Sequence, residues 1–340
     1  MTEYFEFDVK KEVFSEEGIE RALEFLRVAK KDFEASKLLM KHDLYPQALF
    51  MIQQSLEKIA KAILLALGLA SIEDLKREVG HKVLMGGIKL LLSTVTDKFM
   101  YSITYRLMDK PMQFVTFFCM CSNALQHFDD LIRDSSKAVK RLKRLVDKET
   151  MKGVEKLTEI GRKSLERAND EVLKEIDSIV DKYSSYLIDP PSLVKDVGIE
   201  NTYLRLKDLL DSLCTCVKQK VKNRNQRTIL LRGLKEHFKR FKDEIVRIMY
   251  LMDVYLYTIM YHALFEANVS KLRYPEEGWT PTNISSDSIL VIESRKIIDT
   301  FDKVELFSIV ENFIRGQIKT KRSREIYNSL SQLFNKMSET

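Results

Sequence analysis

The stretch from Asp43 to Gly68 constrains the fold of this chain more than any other part of the sequence. Apolar residues recur there every three or four positions, as on one face of an α-helix, and Ile52 and Ile59 belong to that stripe. Pro46 suits the first helical turn, where a missing N–H has no consequence. Gly68 suits the left-handed position just past a helix end. The stretch therefore predicts one long core helix.

Glycine and proline are scarce, with 11 Gly and 6 Pro among 340 residues. Few positions can form tight turns, which favours long helices over a sheet-rich fold. The hydrophobic share of 45% and the charged share of 31% are ordinary for a soluble helical protein. We predict an all-α fold, and the length allows one large domain or two ordinary domains.

An amphipathic pattern over residues 20–42 precedes this stretch and predicts a helix that pairs with it. The second helix carries Tyr45-Pro-Gln-Ala48 and, further on, Gln53-Gln54-Ser-Leu-Glu57-Lys-Ile-Ala-Lys61-Ala. This order resembles the opening helix pair of the HEPN family (higher eukaryotes and prokaryotes nucleotide-binding domains), with its signature A-x-x-Q-Q-x-x-E-K-x-x-K-A. Gly80-His81 and Arg273-Tyr274-Pro275 resemble two later landmarks of that family.

The resemblance implies an up-and-down helical bundle, and we divide the sequence around it. Residues 18–100 and 245–315 are predicted to form a discontinuous HEPN-like bundle. Residues 101–244 would be a long, coiled-coil-like helical insertion, and residues 316–340 a basic, helical tail.

Two helical segments outside the opening pair are also predicted. The charged and aliphatic segment 135–186 is predicted to form one or two long helices, or a helical hairpin that turns near Gly153 or Gly161. A single long helix is predicted from Gln226 to Leu272, basic at its start and apolar afterwards.

One pair of residues could carry chemistry. HEPN ribonucleases resemble one another in having an Arg followed, about four to six residues later, by a His, and Arg232-Gly-Leu-Lys-Glu-His237 fits that spacing. In such a pair the Arg would hold phosphate or stabilise transition-state charge. The His would act as acid or base on the ribose 2′-hydroxyl, with no metal. An exposed Arg and His on a solvated basic helix would show the same spacing.

A second set of residues lies later in the same predicted helix. His262, Glu266 and Arg273 follow at spacings that place them on one helical face. Arg273-Tyr274-Pro275 resembles a motif common in HEPN proteins that lack the Arg–His motif, which favours a non-hydrolytic member. The alternative is a helix C-terminus, with Arg273 near the last carbonyls and Pro275 ending the helix. We treat the three residues as candidates for substrate binding.

The segment 218–242 is strongly basic, and Glu236 is its one acidic residue. Such a run is usually a solvated face, but the lack of acids favours phosphate contact. Only Phe238 and Phe241 interleave with the cations, so base stacking is not strongly indicated. The candidate substrate-binding residues of this run are Lys222, Arg224, Arg227, Lys235, Lys239 and Arg240.

The four cysteines form two pairs, Cys119–Cys121 and Cys214–Cys216, both in segments that read as helical. Neighbours two apart on a helix point roughly 200° away from each other, which argues against a zinc site built from all four thiolates. Buried free thiols are the first expectation, and an inter-helix disulfide or a metal remain alternatives. No phosphate-binding loop or dinucleotide fingerprint appears, so no metal or cofactor is predicted.

The start of the chain and its apolar runs indicate where in the cell the protein is expected. The acidic, mixed start shows no signal peptide, and the runs 62–72 and 112–125 are shorter than the roughly 20 residues of a membrane span. We expect a cytoplasmic protein without membrane contact. The net charge of +6 is a mild excess that does not by itself imply nucleic acid.

Three functions fit the sequence. The favoured one is a non-catalytic HEPN-like protein that binds RNA or a nucleotide in a defence or stress (toxin–antitoxin-like) system. The second is a metal-independent endoribonuclease that uses Arg232 and His237 at a dimer interface, as the family resemblance implies. The third is a helical scaffold that binds another protein through its charged insertion. The resemblance also implies a homodimer and a nucleotidyltransferase-type antitoxin partner.

Overall fold

The computed structural model describes residues 15–75, 145–163, 167–189, 191–274 and 281–316, with single positions within 126–144 and 324–328. The elements in these residues are helical, apart from one isolated bridge between Arg167 and Ser288. The predicted all-α class is therefore confirmed. The helices are α1 (Glu16–Lys41), α2 (Tyr45–Ala66), α3 (Ile72–Asp74), α4 (Met151–Lys163), α5 (Asp170–Ile188), α6 (Pro191–Val197), α7 (Ile199–Lys220), α8 (Arg224–Glu266), α9 (Val269–Arg273), α10 (Ile289–Lys303) and α11 (Leu306–Arg315).

Helices α1 and α2 form the predicted pair and pack along their length. Ser15 caps α1, because its hydroxyl accepts a hydrogen bond from the Gly18 N–H at 3.1 Å. The Ser55 hydroxyl of α2 donates to the Ala29 carbonyl of α1 at 2.8 Å, which ties the two helices across their buried face. Gly68 has φ +61, so the left-handed position predicted after α2 is confirmed.

Helix α8 is the axis of the core. The residues from Val246 to Phe265 are almost all buried, and α2, α4, α5 and α11 pack against them. The part Val246–Glu266 is long and apolar enough to cross a membrane by length and composition alone. However, 94% of an 18-residue apolar stretch within it is buried inside the protein, as expected of a core helix. The basic first half of α8 extends beyond this core.

One hydrophobic cluster crosses the predicted domain boundaries. Leu157 of α4 and Ile176 of α5 belong to the same buried cluster as Ala29 and Ile59, and α8 continues through residue 244 without a break. The division into a bundle and an insertion stays a prediction. The landmark Gly80-His81, Cys119–Cys121 and most of the tail 316–340 lie outside the described residues.

The predicted turn near Gly153 is wrong, because α4 continues through that position. The predicted turn near Gly161 is confirmed, because α4 ends two residues later at Lys163 and packs against α5, which begins at Asp170. These glycines also allow close helix packing. A Cβ on Gly161 would collide with the backbone carbonyl of Leu264 in α8, and the Asn268 side-chain amide donates to the Gly161 carbonyl. Helix α4 therefore needs glycine at position 161 for its approach to α8.

Gly161→Ala should lower the free energy of unfolding by about 1–3 kcal/mol, because the methyl group meets backbone that cannot move aside. Gly233→Ala is the matched control, since no atom lies within 4 Å of a Cβ placed on this mid-helix glycine of α8. That variant should be more stable by about 0.5–1 kcal/mol. Urea denaturation followed by circular dichroism measures both. Equal effects of the two substitutions would contradict the close packing of α4 on α8.

The core also contains a carboxyl group without a partner. Asp253 of α8 is buried, and neither of its carboxyl oxygens makes a hydrogen bond within the described part of the chain. Burial raises the pKa of Asp253 well above its usual range, and the nearby Asp189 carboxylate raises it further. The folded protein therefore retains this proton at pH values where the unfolded chain has lost it.

Asp253→Asn should change the pH dependence of stability in a defined direction. Between about pH 4 and the raised pKa, the wild type binds more protons when folded than when unfolded, so its stability falls as pH rises. Asp253→Asn cannot ionise at this position. Compared with that variant, the free energy of unfolding of the wild type should fall by up to about 1.4 kcal/mol per pH unit between about pH 4 and the raised pKa. Urea titrations from acidic to neutral pH measure the difference, with the exposed Asp211→Asn as control. A difference that does not grow with pH would contradict this account of Asp253.

Candidate nucleic-acid interface

Helices α7 and α8 form a hairpin whose tip is the turn at residues 221–223. Asn223 caps α8, because its side-chain oxygen accepts hydrogen bonds from the N–H groups of Asn225 at 2.9 Å and Gln226 at 3.2 Å. Between the two helices lies a small hydrophobic cluster of its own. It consists of Leu206, Leu209, Leu213, Cys214, Cys216, Val217 and Leu234, with Leu210, Val221, Leu231 and Phe238 packed against it.

The base of this hairpin is joined to the main core. Phe238 packs against both hydrophobic clusters, and its ring centroid lies 5.8 Å from that of Tyr203 in α7. The apolar second half of α8 is locked in the core, so the direction of the hairpin is fixed by the same helix. The cations of the hairpin are therefore presented on a framework of packed helices.

The basic residues of the hairpin lie on its surface. Within the described part of the chain, eight of them make no ion pair, and Arg227 is half-buried while the other seven are exposed. We call these eight residues the basic tip. They are Lys218, Lys220, Lys222, Arg224, Arg227, Arg232, Lys235 and Lys239.

The cations of the basic tip are spread along the hairpin. Arg232, Lys235 and Lys239 follow at spacings of three and four, so they share one face of α8. Arg224 and Lys239 are separated by fifteen residues of helix, or about 22 Å along its axis. Five predicted binding residues (Lys222, Arg224, Arg227, Lys235 and Lys239) therefore lie on the surface of this hairpin, with the exposed Glu236 among them.

The predicted Arg232–His237 pair is only partly described. Arg232 is exposed on α8, whereas the side chains of His237 and Arg240 lie outside the described residues. The catalytic role of Arg232 and His237 therefore stays a prediction, as does the binding role of Arg240.

His262 occupies a different environment, inside the protein. Only 1% of this residue is exposed, and its Nε2 lies 3.0 Å from the Gln53 side-chain nitrogen. Gln54 Nε2 donates to Gln53 Oε1 at 2.8 Å, which fixes the orientation of the Gln53 amide. The Gln53 amide therefore donates a hydrogen bond to His262 Nε2. Because Nε2 accepts this hydrogen bond, a neutral His262 ring carries its hydrogen on Nδ1. The Nδ1 atom lies 3.9 Å from Glu266 Oε2.

This contact belongs to a longer polar network along α2. Lys58 Nζ donates to Gln54 Oε1 at 3.0 Å and lies 2.7 Å from Asp32 Oδ2 of α1. One turn further on, Lys61 Nζ pairs with the buried Glu57 at 2.5 Å. The signature residues of α2 thus join α1 to α2 and α2 to α8. The sequence contained these residues, but no local pattern pairs Gln53 with His262, 209 positions away.

The predicted single helix to Leu272 is wrong, because α8 ends at Glu266 and Arg273 lies in the separate helix α9. Asn268 reaches back to the Gly161 carbonyl at this break. Arg273 is exposed, and its guanidinium lies 5.1 Å from the ring centroid of Phe50 in α2. Burial of His262 gives no support to its predicted part in substrate binding, whereas Arg273 is accessible.

The cysteines are divided between two states. Cys214 is a buried free thiol, and burial raises the pKa of this thiol. Cys216 is disulfide-bonded, so the expectation of free thiols holds for Cys214 and is wrong for Cys216. Within the described part of the chain, no group of three or more His, Cys, Asp or Glu side chains could hold a metal ion.

Comparison with known proteins gives one match. The HEPN domain family model matches residues 22–96, a range that contains most of α1 and all of α2 and α3. The resemblance carried by the α2 signature is therefore confirmed for residues 22–96. No curated protein and no solved structure matches the chain. A HEPN domain suggests an RNA-binding or nuclease-like function.

Proposed function

We propose that this protein binds RNA through its basic tip and does not cleave it. The observation that carries the proposal is the set of eight cations without ion pairs in the described part of the chain, on a hairpin that the core holds in place. Cations that make no ion pair within the protein are free to replace the counterions of phosphate groups. A scaffold that bound its partner through interleaved charges would instead show these cations neutralised.

The spread of the charges favours a polyanion over a single nucleotide. A row of cations about 22 Å long along α8 can contact several successive phosphates of one strand. The polar tip residues Asn223 and Asn225 are exposed beside these cations and add hydrogen-bonding groups. The defence or stress role, the homodimer and the nucleotidyltransferase-type partner belong to this proposal through the HEPN resemblance alone.

Neutralising the tip should weaken RNA binding in a salt-dependent way. We expect the triple variant Lys222→Gln, Arg224→Gln, Arg227→Gln to bind a labelled stem–loop RNA about tenfold or more weakly. The slope of log affinity against log salt should also become shallower by about two. The matched control is Arg27→Gln, Lys30→Gln, Lys31→Gln, which removes three exposed cations from α1. Fluorescence anisotropy over a salt series measures both, and equal losses in the two variants would contradict the proposal.

The non-catalytic part of the proposal has a separate test. Incubation of the full chain with RNA and a chelator should give no cleavage, and His237→Ala should bind RNA like the wild type. Gel analysis of end-labelled RNA measures cleavage. Cleavage by the wild type that disappears in both Arg232→Ala and His237→Ala would make the protein a ribonuclease and refute this part of the proposal.

A further inference from the structure

A cavity of about 370 Å³ lies between α5 and α10. Cavities of this size are typical of small-molecule sites. The buried Tyr261 of α8 contributes to its floor. The two walls are formed by Asp177, Val180, Asp181, Ser184 and Ile188 of α5, and by Lys296, Asp299, Thr300, Lys303 and Val304 of α10.

The two walls run in the same direction. Near the start of α10, Glu293 is hydrogen-bonded with Tyr261, and further along Phe301 lies 5.9 Å from Tyr257, so α10 is antiparallel to α8. Near the start of α5, Asp177 lies close enough to Tyr261 to act on it electrostatically, and Asp189 after its end lies near Asp253, so α5 is antiparallel to α8 as well.

This register places charged groups opposite one another. Lys296 Nζ bridges the walls at one end, at 2.6 Å from Asp177 Oδ1. One turn further along each helix, Asp181 of α5 and Asp299 of α10 come to the same level. One more turn along α10 brings Lys303 to the other end of the cavity.

The first of these cations is already neutralised. Lys296 Nζ lies 2.9 Å from Glu293 Oε1, in addition to its contact with Asp177. Partial burial lowers the pKa of Lys296, but the hydrogen bonds with Asp177 and Glu293 outweigh this and raise it overall. This ammonium group is therefore held between two carboxyl groups and is not available to a ligand.

The remaining charges of the cavity are not neutralised. Within the described part of the chain, Asp181, Asp299 and Lys303 make no ion pair. Two carboxylates at one level of a groove repel each other, and an ammonium group between them would remove that repulsion. An ammonium ligand between Asp181 and Asp299 would thus be held by two carboxylates, as the Lys296 ammonium group is held by Asp177 and Glu293 one turn away. The free Lys303 adds the opposite charge at the far end.

We propose that this cavity binds a small zwitterion, with its ammonium group between Asp181 and Asp299 and its carboxylate at Lys303. Asp299 and Lys303 are one helical turn apart, so their backbone positions are separated by about 6 Å along the helix axis. That separation fits an ω-amino acid with a short aliphatic chain. It fits an α-amino acid less well, because its ammonium and carboxylate groups are bonded to the same carbon atom. Val180, Ile188 and Val304 give the aliphatic chain an apolar surface, and Ser184 and Thr300 offer hydroxyl groups.

Ligand-observed NMR titration of the full chain tests this site with defined probes. The probes are β-alanine, γ-aminobutyrate, δ-aminovalerate and ε-aminocaproate, compared with butylamine, butyrate and putrescine. We expect γ-aminobutyrate or δ-aminovalerate to bind about fivefold or more tightly than butylamine and butyrate. Asp181→Asn and Asp299→Asn should each abolish that binding. Lys303→Gln should reduce the zwitterions to the affinity of butylamine.

The control variant is Asp302→Asn, which removes an equal charge from the same helix outside the cavity and should leave binding unchanged. Putrescine binding as tightly as the zwitterions, with no effect of Lys303→Gln, would show a site for cations alone and overturn the proposal. Binding of no probe, or binding that none of the three cavity variants changes, would overturn it as well. None of these results bears on RNA binding by the basic tip.

Discussion

Burial of the apolar half of α8 is the constraint on which the rest of this structure depends. The segment from Val246 to Phe265 is surrounded by α2, α4, α5 and α11, and no other helix in the described residues contacts so many neighbours. Burial of this much apolar surface is the main favourable term in folding. Because the helix continues without a break to Arg224, its fixed half also sets the direction of its basic half. Core packing and the presentation of the basic tip are thus properties of one helix.

The polar interior gives the bundle its specific arrangement. Gln53, held by Gln54, donates to His262, and Ser55 donates to the carbonyl of Ala29. Each buried polar group would be destabilising without its partner, so these contacts favour one register of α1, α2 and α8 over others. Asp253 is the contrasting case, since its carboxyl group is buried without a hydrogen bond in the described residues. The signature residues of α2 therefore have a structural role in this chain.

The sequence was sufficient where structure follows from local pattern. Ile52 and Ile59 are buried as the helical stripe predicts, and Gly68 takes the left-handed conformation that ends α2. The end of α8 at Glu266 and the continuation of α4 through Gly153 were not predictable in this way. Near these places Asn268 contacts Gly161, which lies 107 positions away in the sequence, so no local pattern contains this contact. For the candidate interface, the basic run was visible in the sequence, but its freedom from ion pairs depends on which helices surround it.

The central claim is that RNA contacts the basic tip, and differential lysine labelling tests it most directly. The full chain would be labelled with an amine-reactive reagent with and without RNA, and the modified lysines located by mass spectrometry. The account predicts protection of Lys218, Lys220 and Lys222, with Lys30 and Lys31 of α1 labelled equally in both samples. Protection of the α1 lysines with an unprotected tip, at RNA concentrations that saturate binding, would contradict it.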